Sequence, residues 1–278
     1  MEQFLSALPA TLIQGLIYAL ISLGVYITYS ILDFPDLGVD GTFPLGAAVT
    51  AVLLTKGVSP WLTLPIAMGV GALAGLFTGF IHVRLKVRDL LAGIITMTAL
   101  FSLNLQIAGS NLTIERSTDT IFSSRAVLAL CGDMTLTGRK ILVSLVLVLA
   151  VKLGMDAYLR TKSGLLLRAV GDNASLVTTL AMDRGRMKIL GLAISNALVA
   201  LAGCIVCHES RSFSATMGTG QLVYGLAAVI VGSILYKTCI QAAMSMGVPA
   251  NMMKLVTALL FLLVLVLSGR KGEEIIRA

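Results

Sequence analysis

The sequence predicts an all-α protein that crosses a bilayer about eight times, within a range of roughly seven to ten, with discontinuous or re-entrant segments. Three observations predict it. Hydrophobic residues make up 57% of the 278 residues and charged residues only 13%, and the mean hydropathy is +0.94, too apolar for a soluble fold of this size to bury. Several apolar runs approach or exceed the ~20 residues that one helical span requires. Those runs are unbroken and lack the alternation of a barrel strand, and lipid leaves a spanning backbone only helices or closed barrels.

The first window covers 8–30. Residues 1–10 carry neither a basic n-region nor a small-residue cleavage site, so the window reads as a retained span. ILDFPDLGVDGTFPLG follows, placing Asp33, Asp36 and Asp40 between this span and a short apolar piece at 43–54. Pro35, Gly38, Gly41 and Pro44 interrupt any helix there. Carboxylates beside hydrocarbon mark a water-filled cavity or a partner. The segment therefore reads as a broken membrane helix whose free amides and half-helix ends line a translocation path. An exposed loop that only satisfies helix ends is the competing reading.

The next window, 60–85, repeats glycine every fourth residue at Gly71, Gly75 and Gly79, with Ala67 and Ala74 beside them. Such a strip lets another helix backbone approach closely. Window 90–109 contains Met97, Ser102, Asn104 and Gln106. Asn104 and Gln106 are two apart and point in different directions, which favours interhelical hydrogen bonding over a shared pore face. Residues 111–139 mix Glu115, Arg116, Asp119, Arg125, Asp133 and Arg139, as an outer loop does. Windows 141–158 and 189–207 flank a polar stretch, and the second contains Ser195 and Asn196. Beyond them lie 221–236, a short piece at 239–248, and 252–268. These give either an even set of crossings or a half-helix that enters and returns, with Gly225, Gly232 and Gly247 easing the breaks.

Basic residues collect at 82–88, at 159–188 and near Arg270, Lys271 and Arg277, so these positions are cytoplasmic by the positive-inside rule. Stretch 159–188 contains six of the 21 Lys and Arg residues, opposed only by Asp172 and Asp183. Within it, Asp172 or Asn173 can cap a short helix on which Leu176, Val177 and Leu180 form one apolar face. A capped helix with an apolar face and basic flanks suits insertion into a groove on a soluble partner; resting on lipid headgroups is the other use of the same features.

Nothing in the chain resembles catalytic machinery. The four cysteines, Cys131, Cys204, Cys207 and Cys239, sit in apolar contexts without a disulfide framework. Cys204-Ile-Val-Cys207-His208 matches a haem-attachment pattern, but it ends an apolar span and no second axial ligand is evident, so the cysteines read as packing residues. No zinc-ligand spacing, nucleophile–base arrangement or phosphate-cradling G-x-x-x-x-G-K-[ST] loop occurs. ATP-driven transport through this chain therefore requires an ATPase on another polypeptide.

The run LLLRAVGDNASLVTTLAMDRGRMKILGLAISNALVALAG, with Arg168, Ala169, Gly171, Asn173, Ala202 and Gly203 at the matching positions, resembles the branched-chain amino acid and ribose-type ABC importer permeases. ILDFPDLGVDGTFPLGAAV and GLAAVIVGSILY are most similar to the tryptophan/tyrosine-type uptake subgroup. The resemblance covers nearly the whole chain and departs from the subgroup at 204–214 and in the loop after Gln106. It implies a single permease domain over 1–278 that forms a homodimer in a bacterial plasma membrane, with a cytoplasmic C-terminus. Two cytoplasmic ABC ATPase subunits would carry ATP and Mg²⁺, and an extracytoplasmic binding protein would deliver an amino acid or similar small solute. This chain itself would hold no cofactor or metal.

On that resemblance 173–182 is the coupling helix, and Arg168, Gly171, Asp172, Asn173, Leu176, Val177, Leu180 and Asp183 form the ATPase-coupling set. Asp33, Asp36, Asp40, Gly41 and Asn104 are the translocation-path set. An ion-gradient-driven secondary transporter, with the three aspartates binding protons or cations, is the alternative function. A membrane enzyme or haem-bearing electron carrier is a more distant one.

Overall fold

The computed structural model describes residues 2–124, 127–129, 134–172, 183–221 and Thr238. Seven helices of more than ten residues organise them. They are α1 (Glu2–Tyr26), continued by a π-helical turn at Ile27–Ile31, α2 (Val39–Thr55), α3 (Pro60–Arg84), α4 (Asp89–Ala108), α5 (Leu136–Leu159), α6 (Lys162–Asp172) and α7 (Arg184–Ser210). Five helical stretches are long and apolar enough to cross a membrane: Leu8–Ile31, Pro60–Arg84, Asp89–Ala108, Leu136–Leu159 and Arg184–Ser210. They fall within a few residues of the first, second, third, fourth and fifth long windows read from the sequence. The short apolar helix Val39–Thr55 extends the 43–54 piece toward its N-terminus. The expected spans at 221–236, 239–248 and 252–268 lie outside the described residues, apart from Gln221.

Helix α7 is the hub, packing against α1, α2 and α3, with α3 its most extensive partner. Glycine makes that partnership possible. A Cβ on Gly71 would run into Ala200 and the Asn196 carbonyl, one on Gly75 into the Leu192 carbonyl, and one on Gly79 into Ile189. The glycine strip read from the sequence is thus the seam along which α3 lies on α7, one backbone against another. Gly46 on α2 and Gly203 on α7 do the same for the α2–α7 contact, against the Ala200 and Phe43 carbonyls.

Sidedness follows from the basic ends. Arg84, Arg160 and Arg184 close or open α3, α5 and α7 at one end of the bundle, which is the inner one. The last turn of α1 lies at that end too, since Gly171 of α6 abuts Ile31 and the Phe34 ring meets the His82 ring edge-on at 5.0 Å. Six segments therefore alternate in direction, from α1 running inward to α7 running outward.

At the outer end β1 (Asn111–Thr113) pairs antiparallel with β2 (Ser212–Ser214), Leu112 opposite Phe213. Arg211, in the left-handed region at φ 53, ends α7 and donates from Nη1 to the carbonyls of Glu115, Arg116 and Thr118 at 3.0, 2.9 and 3.0 Å. Lys140 at the start of α5 pairs with Glu209 at 3.0 Å. The unusual 204–214 stretch is therefore the fastening of the outer loops. Cys204 and Cys207 are free and buried, and His208 Nε2 lies 2.9 Å from the Thr63 hydroxyl, so the Cys-x-x-Cys-His run packs inside the bundle as expected.

Candidate translocation and coupling site

The break after α1 has a local cause. Ile27–Ile31 widens into a π-helical turn, with Leu32 N–H donating to the Ile27 carbonyl at 3.0 Å and Phe34 N–H to that of Thr28 at 2.8 Å. Pro35 disfavours helix at the residue before it and has no N–H to continue the ladder. Asp33 sits at φ 49, a conformation that Asp adopts more readily than bulkier residues. The chain turns there and enters α2 at Gly38.

The three aspartates of this break meet three fates. Asp33 is exposed. Asp36 is fully buried, and both its oxygens are used. Oδ1 accepts from Gly38 N–H at 2.8 Å, and Oδ2 accepts from Asn196 Nδ2 at 2.8 Å. Asn196 Oδ1 in turn lies 2.7 Å from the Thr42 hydroxyl. Asp40, partly buried, accepts from Gly220 N–H at 2.9 Å, tying the first turn of α2 to the segment that follows β2. No basic side chain among the described residues pairs with Asp36, so amide and backbone donors alone solvate its carboxyl group, as a polar group in such surroundings requires.

Around this knot the backbones come close. A Cβ on Gly93 of α4 would stand 2.7 Å from Leu37 N and 3.3 Å from Asp36 Oδ1, and one on Gly41 would stand 3.0 Å from the Met97 Cα. Thr78 of α3 and Thr96 of α4 share a hydrogen bond of 3.0 Å beside it. Asn104 is buried and donates to the Gly41 carbonyl at 3.1 Å, whereas Gln106 and Ser102 are exposed. The sequence expectation that Asn104 and Gln106 diverge, and that such amides bond between helices, holds for Asn104. Ser195 likewise bonds across helices, to the Gly24 carbonyl at 2.7 Å. Thr42, Thr78, Thr96 and Gly93 are not marked out by any sequence motif. A hydroxyl or glycine inside an otherwise apolar span is their only signal.

The inner end holds those members of the expected coupling set that the structure describes. Helix α6 is anchored by Thr161, whose hydroxyl accepts from Gly164 N–H at 3.3 Å, and it presents Gly164, Leu167 and Val170 inward while Arg168 stays exposed. Gly171 is pressed on the Ile31 carbonyl so tightly that any Cβ would overlap it. Leu167 packs in one cluster with Ile31, Leu32, Phe34 and Leu192. The structure places Asp172 within α6 (Lys162–Asp172), a helix not resolved from the sequence. Asp183 is the N-cap of α7, accepting from Gly185 and Arg186 N–H at 2.9 and 3.4 Å. Asn173, Leu176, Val177 and Leu180 lie outside the described residues.

What the arrangement provides is mechanical. A helix at the inner end is fastened, backbone to backbone, to the residues that lead directly into a broken, polar turn. At the outer end, a cavity of about 490 Å³ opens between the α2–α3 turn and the loop at Ser117, Thr118 and Asp119.

Comparison with known proteins agrees with this architecture. Residues 8–269 match the family described as branched-chain amino acid transport system / permease component. A tyrosine transport system permease protein of Clostridioides difficile is 36% identical over 277 residues, covering 93% of this chain and 90% of that relative. A probable branched-chain amino acid transport permease of Methanocaldococcus jannaschii is 27% identical, covering 82% and 73%. A ribose import permease of Haemophilus influenzae is 28% identical, covering 79% and 66%. No solved structure matches the chain. The buried aspartate knot, the glycine seam and the helix fastened to Ile31 are thus features of a multi-pass membrane protein that belongs to the branched-chain amino acid transport permease family, the membrane-spanning subunits of ABC importers.

Proposed function

We propose that this chain, as a homodimer in a bacterial plasma membrane, forms the path for an amino acid that an extracytoplasmic binding protein delivers. The C-terminus lies in the cytoplasm. ATP, with Mg²⁺, is hydrolysed on separate ATPase subunits, and this chain performs no chemistry of its own. The 36% identity to a tyrosine permease across 93% of the chain supports an amino acid as solute. The binding protein would meet the outer rim formed by the β1–β2 pair and the Ser117–Asp119 cavity.

The observation that carries the mechanism is the seat of Gly171 on the Ile31 carbonyl. The ATPase docks at 173–182, held by Leu176, Val177 and Leu180, with Arg168, Asp172, Asn173 and Asp183 around it. When the ATPases close, α6 is drawn with them, and Ile31–Phe34 follows because no side chain separates the two backbones. The turn holding Asp33, Asp36, Asp40 and Gly41, with Asn104 above it, then shifts between inward and outward access, a differential-contact mechanism for coupling two sites.

Two experiments test this. Leu176→Asp with Leu180→Asp should release the ATPase from detergent-solubilised complexes while the permease still elutes as a folded dimer; an ATPase that stays bound at wild-type stoichiometry overturns the docking site. Gly171→Val should leave the ATPase bound yet lower uptake in proteoliposomes on the order of tenfold or more, with ATP hydrolysis persisting, since a misfit of about 1.4 kcal/mol already shifts an equilibrium tenfold. Wild-type uptake by that variant would show that α6 and Ile31 do not move as one.

A further inference from the structure

We propose that the inner corner formed by the α3–α4 hairpin and the start of α7 is a binding site for an anionic phospholipid, with the headgroup held by Arg84, Lys86, Arg88 and Arg184 and an acyl chain lying along α3.

The corner is assembled from positions about a hundred residues apart in the chain. Gly79 abuts Ile189, Gly185 abuts Val83, and Lys188 Nζ lies 3.3 Å from His82 Nε2. His82 also holds the hairpin closed, with Nδ1 3.1 Å from Asp89 Oδ1 and 2.9 Å from the Val87 carbonyl. Arg84, Lys86, Arg88 and Arg184 are all exposed. The carboxylates next to them in the chain are already engaged, Asp89 with His82 and Asp183 with the α7 amides and Arg186. Among the described residues no carboxylate pairs with those four cations. Unopposed positive charge at this level attracts anionic headgroups, each basic residue adding an increment that screening by salt erodes.

Charge alone would suit an acidic protein surface equally well; the apolar neighbours decide. Leu85, between Arg84 and Lys86, is 62% exposed. Leu73, Phe77 and Phe80 are exposed at 65%, 48% and 51% and share one face of α3. With 3.6 residues per turn, Arg84 continues the face of Phe77 and Phe80, about 10 Å nearer the inner surface than Phe77. A track of exposed apolar side chains that ends in a guanidinium with no carboxylate partner among the described residues has the shape and polarity of a phospholipid, not of a soluble subunit.

The test uses the complete importer, solubilised with phosphatidylglycerol and phosphatidylcholine in equal amounts and analysed by native mass spectrometry for retained lipid. Wild-type complex should retain phosphatidylglycerol in preference. Arg84→Gln with Lys86→Gln, Arg88→Gln and Arg184→Gln should lower that preference at least about tenfold, whereas Arg160→Gln with Lys162→Gln should leave it within about twofold. ATPase stoichiometry and dimer mass should stay unchanged in both variants. Unaltered phosphatidylglycerol retention in the fourfold variant overturns the proposal, as does loss of the ATPase or of the dimer with lipid retention intact, since the corner would then be a protein contact.

Discussion

Gly75→Leu should cost roughly 4 kcal/mol or more of stability, the range reached only when a buried contact is destroyed outright. The obstacle is backbone: even a Cβ at 75 overlaps the Leu192 carbonyl and stands 2.8 Å from the Ala193 Cα, and α7 cannot withdraw without also leaving Gly71 and Gly79. Loss of the monodisperse peak on size exclusion and of the thermal transition in detergent would register the effect. Gly69 on the same helix is the control, because a Cβ there meets nothing within 4 Å. Gly69→Leu should be neutral or slightly stabilising, since leucine propagates a helix better than glycine by up to ~1 kcal/mol. Equal behaviour of the two variants would mean that α3 does not lie on α7 along this strip.

The second large effect is expected at Asn196. Asn196→Leu removes the donor to Asp36 Oδ2 and the acceptor facing Thr42, leaving a buried carboxyl group short of a partner at a cost of roughly 3 kcal/mol. The companion change, Asp36→Leu, removes the group that needs the partner. In the double variant, part of the Asn196→Leu loss should return, and the interaction energy extracted from the cycle should be about 1 kcal/mol or more. Measured unfolding energies that simply add would mean that the two side chains do not depend on one another.

Where the sequence spoke clearly, it did so because the solvent is hydrocarbon. A bilayer demands apolar length, so 60–85 and 90–109 could be marked off and reappear as Pro60–Arg84 and Asp89–Ala108. The every-fourth glycines of α3 were legible for the same reason, since little but close helix contact uses such a strip in a span. The aspartates were not legible individually. Asp33, Asp36 and Asp40 share one composition-poor turn, yet only Asp36 is fully buried, and what distinguishes it is Asn196, 160 positions away. Helix α6 escaped notice because its buried face, Gly164, Leu167 and Val170, is short and contains a glycine, weak evidence without knowledge of Ile31 as its floor. Arg211 looked like part of a departure from pattern; its purpose lies in three carbonyls on a loop 93 to 96 residues earlier.

That arginine bears on the proposed alternation of access. With one side chain gripping three carbonyls of the loop after α4, and a strand pair zipped directly beyond it, the outer tips of α4 and α7 are stapled into a single plate. They cannot splay apart like petals. On the proposed mechanism, outward opening then takes the form of a tilt of that plate as a unit, not a parting of α4 from α7.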